Sequence, residues 1–187
     1  MIDTKKYDYW LWPTYFVGTE LLSLKEKLKS VNMITEPKEH GAEGKKLTNS
    51  FNFEFKEISQ LDSMIRLKKY INYINECHFG YHIYEYSDYD TICLNRYTGD
   101  MKHHYDWHID LASNLNIDFK FTVILNVSDD YSGGEFQLNS GGDVIDITDF
   151  KPGAVLMFRS NVQHKVNPVL SGTRETLSFF IRGPRWK

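Results

Sequence analysis

The sequence predicts a mainly β protein, a sandwich or barrel of short strands with supporting helices packed on one sheet. After residue 90 the hydrophobic pattern takes a period of two, in short segments separated by turn residues. Before that point, two stretches carry apolar residues at helical spacing. Tyrosine and phenylalanine, 12 of each, are also typical of sheets. We expect one domain over residues 1–187, with 1–90 as lead-in and helical support and 91–187 as the β core.

The first half of the chain supplies the predicted helices. Residues 1–18 are expected to be irregular or strand-like, with aromatic side chains that pack against a sheet. A helix is expected from Thr19, as its N-cap, to about Ser30, and a second over Ser59–Glu76. Residues 32–50 contain proline and glycine with little apolar periodicity. That pattern indicates a loop, and it makes the segment a candidate lid that contacts substrate.

The strands of the second half are short and end at recognisable turns. Glycine pairs at 133–134 and 141–142, Pro152-Gly153 and Gly172 mark these turns. Many short strands at this spacing are typical of a sandwich or barrel. The strands are expected near residues 91–97, 103–109, 119–127, 134–138, 143–147, 154–158, 163–168 and 175–182.

The composition indicates the cellular compartment of the protein and the classes of partner that it does not bind. The net charge of −3 supplies no field that attracts nucleic acid. Only two cysteines are present, without metal-finger spacing, which favours a reducing compartment. The first twenty residues are too polar for a signal peptide, and no apolar run approaches the ~20 residues of a membrane span. We therefore expect a soluble cytoplasmic protein that binds neither nucleic acid nor membrane; nothing in the composition indicates its oligomeric state.

Residues 95–110, NRYTGDMKHHYDWHID, concentrate the groups that can do chemistry. Successive side chains of a strand point to opposite faces, so His108 and Asp110 face the same way. An imidazole and a carboxylate placed like this are two thirds of a 2-His-1-carboxylate site for Fe(II). His104 and Asp106 have the same spacing and are an alternative pair.

A third ligand and an anion partner lie further along the chain. His164 is the one histidine after Asp110, and Arg174 follows it by ten residues, just past a predicted turn. An arginine pairs with a carboxylate through two charge-assisted hydrogen bonds, so this set suits iron plus a dicarboxylate co-substrate. Two other arginines, 182 and 185, are rival anion partners, and Cys77, His78 and His82 are a rival metal cluster.

Alternation on two strands predicts the lining of a pocket. Arg174 shares one face of the last strand with small polar and aromatic side chains, and a second polar face lies on the strand near 119–127. These two faces are formed by Arg174, Thr176, Ser178 and Phe180, and by Lys120, Thr122, Ile124 and Asn126.

Several motifs occur in a set order along the second half. They are Tyr97 and Gly99, then Trp107-His108-Ile109-Asp110, Thr122 to Asn126 with Tyr131-Ser132-Gly133-Gly134-Glu135-Phe136, Pro152-Gly153 with Phe158, and His164-Lys165-Val166-Asn167-Pro168-Val169 with Gly172-Thr173-Arg174. With these motifs, residues 96–184 resemble the prolyl 4-hydroxylase-like branch of the 2-oxoglutarate and Fe(II)-dependent oxygenases. The first half of the chain matches nothing recognisable.

The resemblance implies a double-stranded β-helix, the cupin-like jelly roll, with Fe(II) held by His108, Asp110 and His164. The tryptophan before His108 and its distance from Tyr97 match the family register, which favours this pair over His104 and Asp106. The unused side chains at 103, 104 and 106 are then expected at the entrance, facing solvent or substrate.

The resemblance also implies the co-substrates. 2-Oxoglutarate would chelate the iron, and its far carboxylate would pair with Arg174, assisted by the hydroxyl of Tyr97 or Ser178. Thr122 and Asn126 are further candidate contacts; relatives often carry tyrosine or glutamine in place of Asn126. O2 completes the reaction, which gives succinate and CO2, and ascorbate is an additional candidate cofactor.

Four functions compete at this point. The first is hydroxylation of a prolyl residue in a protein or peptide, and the second is the same chemistry on a free amino acid or other small molecule. The third is a non-catalytic jelly-roll module that keeps a metal for stability, which does not explain Arg174. The fourth is nucleic-acid repair, which the acidic charge disfavours.

Overall fold

The computed structural model describes residues 8–32, 38–39, 46–112 and 116–185. Two α-helices precede the β core, α1 (Thr19–Lys29) and α2 (Asp62–Ile74). A 3-10 turn (Phe55–Glu57) comes before α2, and a π-helical turn (Asn75–Phe79) follows it. The strands are β1 Tyr9–Trp12, β2 Lys38–Glu39, β3 Lys46–Leu47, β4 Asn49–Glu54, β5 Thr91–Thr98, β6 His104–His108, β7 Ile117–Asn126, β8 Tyr131–Gly133, β9 Phe136–Ser140, β10 Asp143–Asp146, β11 Val155–Arg159, β12 Gln163–Val166 and β13 Val169–Pro184.

The strands form two antiparallel sheets that pack face to face. The large sheet has the order β1-β11-β7-β13-β5-β4-β2, with β8 paired to β13, and the small sheet has the order β10-β9-β12-β6-β3. Buried apolar side chains from the facing sides fill one core between them, Phe136, Leu138, Leu156 and Phe158 among them. The predicted mainly β jelly roll is confirmed.

The outer face of the large sheet is covered by the helices, as predicted. Side chains that alternate with the cavity-facing ones, such as Phe121 and Val123 of β7, point to this outer side. Leu24 of α1 and Leu67 of α2 are fully buried in the same cluster. Neither helix, nor any other within the described residues, is long and apolar enough to cross a membrane.

Two predictions about the first half need correction. Thr19 is the first residue of α1 rather than its N-cap; Gly18, with φ of 52°, takes that position without a side-chain bond. The loop predicted over residues 32–50 is wrong at several places, because β2, β3 and the start of β4 lie within it. Short strands with a mixed polar pattern leave little periodicity to detect. Residues 33–37 and 40–45 lie outside the described part, so the lid stays a prediction.

Strands before residue 91 join both sheets. The aromatic lead-in forms β1, which pairs with β11 and packs against the sheet as expected. β3 pairs with β6 of the small sheet, whereas β4 pairs with β5 of the large one. Thr48, between them, is where the chain crosses from one sheet to the other, and its hydroxyl donates to the carbonyl of Arg96 at 2.8 Å.

Candidate active site

A cavity of about 300 Å³ opens between the two sheets. Both sheets contribute to its wall, so residues far apart in the sequence meet there. Its lining is Ser50, Asn52, Cys93, Asn95, Tyr97, Tyr105, His108, Asp110, Thr122, Ile124, Phe136, His164, Val166, Arg174, Thr176, Ser178 and Phe180.

Three predicted metal ligands come together at one side of this cavity. His108 ends β6 and is paired directly with His164 of β12 in the small sheet, and Asp110 follows two residues later. One ligand atom from each of the three lies within 4.8 Å of the others. His164 Nε2 is 3.4 Å from Asp110 Oδ2, and His108 Nε2 is 3.9 Å from Asp110 Oδ1. Two imidazoles and a carboxylate at this spacing are the donor set of a non-haem Fe(II) site.

Backbone carbonyls orient both imidazoles. His108 Nδ1 lies 2.7 Å from the carbonyl oxygen of Asp106, and His164 Nδ1 lies 3.0 Å from that of Val162. When Nδ1–H donates to a carbonyl, the lone pair of Nε2 is left for a metal. Burial lowers the pKa of His164 to about 4, so this ring is neutral near neutral pH.

Two groups hold Asp110 in place, one through its carboxylate and one through its backbone N–H. Thr122 Oγ1 donates to Asp110 Oδ2 at 2.7 Å and lies 2.9 Å from the hydroxyl of Ser160. The backbone N–H of Asp110 donates to the carbonyl of Ser160 at 2.9 Å. Thr122 therefore lines the cavity as predicted, but its hydroxyl serves the metal ligand rather than 2-oxoglutarate.

The rival metal ligands are not brought together. Among the described residues, the three-ligand cluster at 108, 110 and 164 is the one that could hold an ion, and neither His104 nor Asp106 joins it. His103 was expected at the entrance but is buried, with its Nδ1 accepting the backbone N–H of Thr98. The ring of His78 stacks on an indole, that of Trp10, at a centroid distance of 4.5 Å.

Arg174 is buried in the same cavity, 1% exposed. Its Nε and Nη2 have no hydrogen-bond partner in the protein, and its guanidinium lies between the rings of Tyr97 and Phe150, at 5.4 and 5.8 Å. A buried, unpaired guanidinium loses several kcal/mol of hydration, which a bound anion offsets. The rival Arg182 pairs with Asp90, and Arg185 is exposed.

The surroundings of Arg174 suit a carboxylate ligand. Burial raises the pKa of the Tyr97 phenol, partly opposed by the Arg174 guanidinium, so the hydroxyl stays a donor. Gly134 has φ of +67°, and a Cβ there would lie 2.9 Å from Cδ of Arg174. The glycine therefore leaves the space through which the arginine reaches the cavity.

Asn126 and Lys120 do not line the cavity, although alternation predicted that they would. The amide nitrogen of Asn126 donates to the carbonyl of Phe150 at 2.8 Å and to the hydroxyl of Tyr131 at 3.2 Å. Its amide oxygen accepts from the backbone and the hydroxyl of Ser128, both at 3.1 Å. These bonds occupy the amide, so it is not available to 2-oxoglutarate.

Sequence reasoning missed several cavity residues. Ser50 and Asn52 point inwards from β4, which was assigned in part to a loop; the alternation of polar residues with Phe51 and Phe53 was the available signal. Tyr105 was also missed, and its ring stacks on His108 at a centroid distance of 3.4 Å.

Sequence comparison finds relatives for the second half of the chain. The model of the 2OG-Fe(II) oxygenase superfamily matches residues 92–182. A PKHD-type hydroxylase of Synechococcus sp. (strain CC9605) is 39% identical over 74 residues, which are 37% of this chain and 32% of that protein. The match thus spans about a third of the length of this curated relative.

Structure comparison finds neighbours along nearly the whole chain. A Pseudomonas putida prolyl-4-hydroxylase superposes with a TM-score of 0.66 at 14% identity, covering 98% of this chain and 96% of that one. The 2-oxoglutarate-dependent carbocyclase SnoK of nogalamycin biosynthesis superposes with a TM-score of 0.71 at 11% identity, covering 96% and 81%. At such identities the likeness establishes the fold. Residues 92–182 thus match the 2OG-Fe(II) oxygenase superfamily, and the fold of the chain is similar to that of a prolyl-4-hydroxylase.

Proposed function

We propose that the protein is a 2-oxoglutarate- and Fe(II)-dependent dioxygenase that hydroxylates a prolyl residue in a protein or peptide. The observation that carries the proposal is the pairing of two sites in one cavity. A cluster of two imidazoles and a carboxylate faces the same space as a buried arginine with unpaired N–H groups. A metal held only for stability does not require a buried arginine that is available to an anion, such as Arg174, in the same cavity.

In this proposal, one set of residues would bind the metal and another would bind the co-substrate. Fe(II) with 2-oxoglutarate, when bound, supplies the O2 chemistry that hydroxylates an unactivated C–H bond and yields succinate and CO2. His108, Asp110 and His164 would hold three positions of the metal and leave the others open. Arg174 would fix the far carboxylate through charge-assisted bonds, with the Tyr97 hydroxyl beside it. The Arg174 guanidinium lies over the ring of Tyr97, so Tyr97 is the hydroxyl we assign to this role.

The prolyl substrate rests on the names of relatives. Proteins described as PKHD-type hydroxylase and prolyl-4-hydroxylase resemble this chain in sequence and in fold, respectively. The carbocyclase neighbour shows that the same fold also serves a different reaction, so a small-molecule substrate is the alternative. We further propose that residues 1–187 act as one domain, because both helices pack on the large sheet of the β core. We also propose that this domain acts in the cytoplasm.

The decisive assay is the conversion of 2-oxoglutarate to succinate by the purified protein with Fe(II), with and without ascorbate, followed by chromatography. We expect turnover in the wild type and its loss in Asp110→Ala and His164→Ala. A gain of 16 Da on a prolyl residue, detected by mass spectrometry of a peptide library, would identify the substrate class. Succinate formation that persists in both variants would rule out the proposed metal site.

Arg174→Met tests the co-substrate site separately. We expect the affinity for 2-oxoglutarate to fall at least about 30-fold, because removal of one partner of a buried charge pair costs roughly 2–5 kcal/mol. The affinity for Mn(II), used as a redox-stable substitute for Fe(II), should change less than about threefold, since no metal ligand is altered. Calorimetric titration measures both constants, and an equal loss of both would show that Arg174 is not the anion partner.

A further inference from the structure

One side of the cavity is lined by uncharged polar side chains that the proposed cofactors do not use. We call Ser50 and Asn52 of β4, Asn95 of β5 and Ser178 of β13 the polar wall. In the register of the large sheet Ser50 is opposite Asn95, and Ser178 is opposite Cys93, the inward-facing residue two before Asn95. These side chains therefore form one continuous surface across three neighbouring strands.

Hydrogen bonds fix the orientation of the Asn95 amide at the centre of this wall. Its oxygen accepts from Ser50 Oγ at 2.9 Å and from Cys93 Sγ at 3.4 Å. Its nitrogen donates to Ser178 Oγ at 2.9 Å. A carboxamide has two N–H groups and a hydroxyl has one donor, so one N–H of Asn95 and the O–H of Ser178 remain. The central part of the wall thus offers donors and is complementary to an acceptor.

The wall carries no formal charge. Among the residues that line the cavity, Asp110 and Arg174 are the two with formally charged side chains, and both are assigned to the metal and to 2-oxoglutarate. An ammonium or carboxylate group placed on the wall would lose its hydration without an ionic partner. A neutral acceptor such as an amide carbonyl would keep its hydrogen bonds.

We propose that Asn95, held by Ser50 and Ser178, is a specificity-determining residue that selects a substrate with a neutral carbonyl acceptor. It thereby favours a residue inside a peptide, whose carbonyl is an amide, over a free amino acid, whose ends are charged. The inference rests on the proposed function, because it assumes that Arg174 and the metal ligands are occupied by the cofactors.

The test measures binding without turnover. The wild type and its variants are loaded with Mn(II) and 2-oxoglutarate and titrated with a pool of N-acetylated, C-amidated tripeptides with a central proline, and separately with free L-proline. Asn95→Asp replaces the donor amide by a carboxylate of the same shape. Ser178→Ala removes only the hydroxyl donor. Asn49→Asp is the matched control, since it adds the same charge on β4, at a residue outside the cavity lining.

We expect wild type to bind members of the peptide pool at least tenfold more tightly than free proline. Asn95→Asp should weaken peptide binding at least tenfold and Ser178→Ala about fivefold, with 2-oxoglutarate affinity within threefold of wild type. Asn49→Asp should bind like wild type. The inference is overturned if free proline binds as well as the peptides, if no peptide binds, or if Asn95→Asp binds them unchanged or loses 2-oxoglutarate equally.

The two proposals can fail independently. Selective peptide binding without succinate formation by the wild type would reject the proposed activity and keep the role of Asn95. Succinate formation with equal binding of peptides and free proline would keep the activity and reject the role of Asn95.

Discussion

At the scale of single residues, the ligand side chains are oriented before any metal arrives. Carbonyls of Asp106 and Val162 set the rings of His108 and His164, and Thr122 sets the carboxylate of Asp110. Partners of this kind hold the ligand geometry and raise metal affinity. The Thr122 hydroxyl is the most informative of them, because it can be removed without changing the backbone.

Thr122→Val should lower the affinity for Mn(II) about 10- to 100-fold, the range typical of a lost partner of a metal ligand. Valine keeps the shape of threonine and removes only the hydroxyl that donates to Asp110. Thr122→Ser keeps the hydroxyl and should bind metal within about threefold of wild type. Titration of the metal-free protein measures the affinities, and identical values for the two variants would mean that the bond does not position Asp110.

At the scale of elements, the short strand β8 and the glycine after it control the space beside Arg174. Gly134 lies against the aliphatic part of that side chain and against Val169, both 2.9 Å from where a Cβ would stand. The arginine comes from β13, to which β8 is paired. The sequence indicates only a turn at this glycine, but in the structure the glycine also determines the space available to Arg174.

Gly134→Ala should weaken 2-oxoglutarate binding at least about tenfold, because the added methyl group displaces Arg174. The positive φ adds a backbone strain of about 1–2 kcal/mol, expected to lower the melting temperature by several degrees. Gly141→Ala is the matched control, with φ of +66° and nothing within 4 Å of its Cβ position. Calorimetry and thermal denaturation measure the two effects. Equal 2-oxoglutarate affinity in both variants would contradict the steric explanation.

Helix α2 tests whether the helices stabilise the sheet. Leu67 is fully buried in the cluster between α2 and the large sheet, whereas Ile65 on the same helix is 40% exposed. Leu67→Ala should lower the free energy of unfolding by about 2–5 kcal/mol, and Ile65→Ala by less than about 1 kcal/mol. Urea denaturation measures both. A small effect at Leu67 would mean that the helix contributes little to the fold.

At the scale of the whole molecule, ligand binding is expected to stabilise the sandwich. In the proposed function, the small sheet and the segment after β6 would hold the metal, and the large sheet would hold 2-oxoglutarate. A ligand at 100 times its dissociation constant adds about 2.7 kcal/mol, roughly 5–10 °C in a chain of this size. Mn(II) and then 2-oxoglutarate should each raise the melting temperature. Arg174→Met should retain the increase caused by Mn(II) and lose the increase caused by 2-oxoglutarate. If both increases were retained, Arg174 would not be the partner of the 2-oxoglutarate carboxylate.

The sequence predicted the parts of the site that depend on strand alternation. Period-two spacing predicted that His108 and Asp110 face the same way, although Asp110 lies just past the end of β6. His164 and Arg174 were predicted from their positions after this pair and from the order of motifs. Their arrangement in one cavity agrees with that expectation.

Strand alternation could not predict the contacts made by irregular segments. Alternation put Asn126 in the pocket, but its amide bonds to groups of two loops, the carbonyl of Phe150 and Ser128. The position of Ser50 in the cavity was not predicted, because β3 and β4 are short and separated by one residue, which leaves no clear periodicity. In both cases the outcome depends on tertiary neighbours that no local pattern records.

The single-residue crossing at Thr48 sets a limit on how the chain can vary. β3 is in register with β6, the strand that ends at His108, and β4 is in register with β5, with one residue between β3 and β4. An insertion there would slip one of the strands by a position and turn its side chains to the opposite face. Ser50 and Asn52 would then leave the cavity and Phe51 and Phe53 would enter it. The length of this connection is therefore as much a determinant of what the cavity accepts as the identity of the side chains that line it.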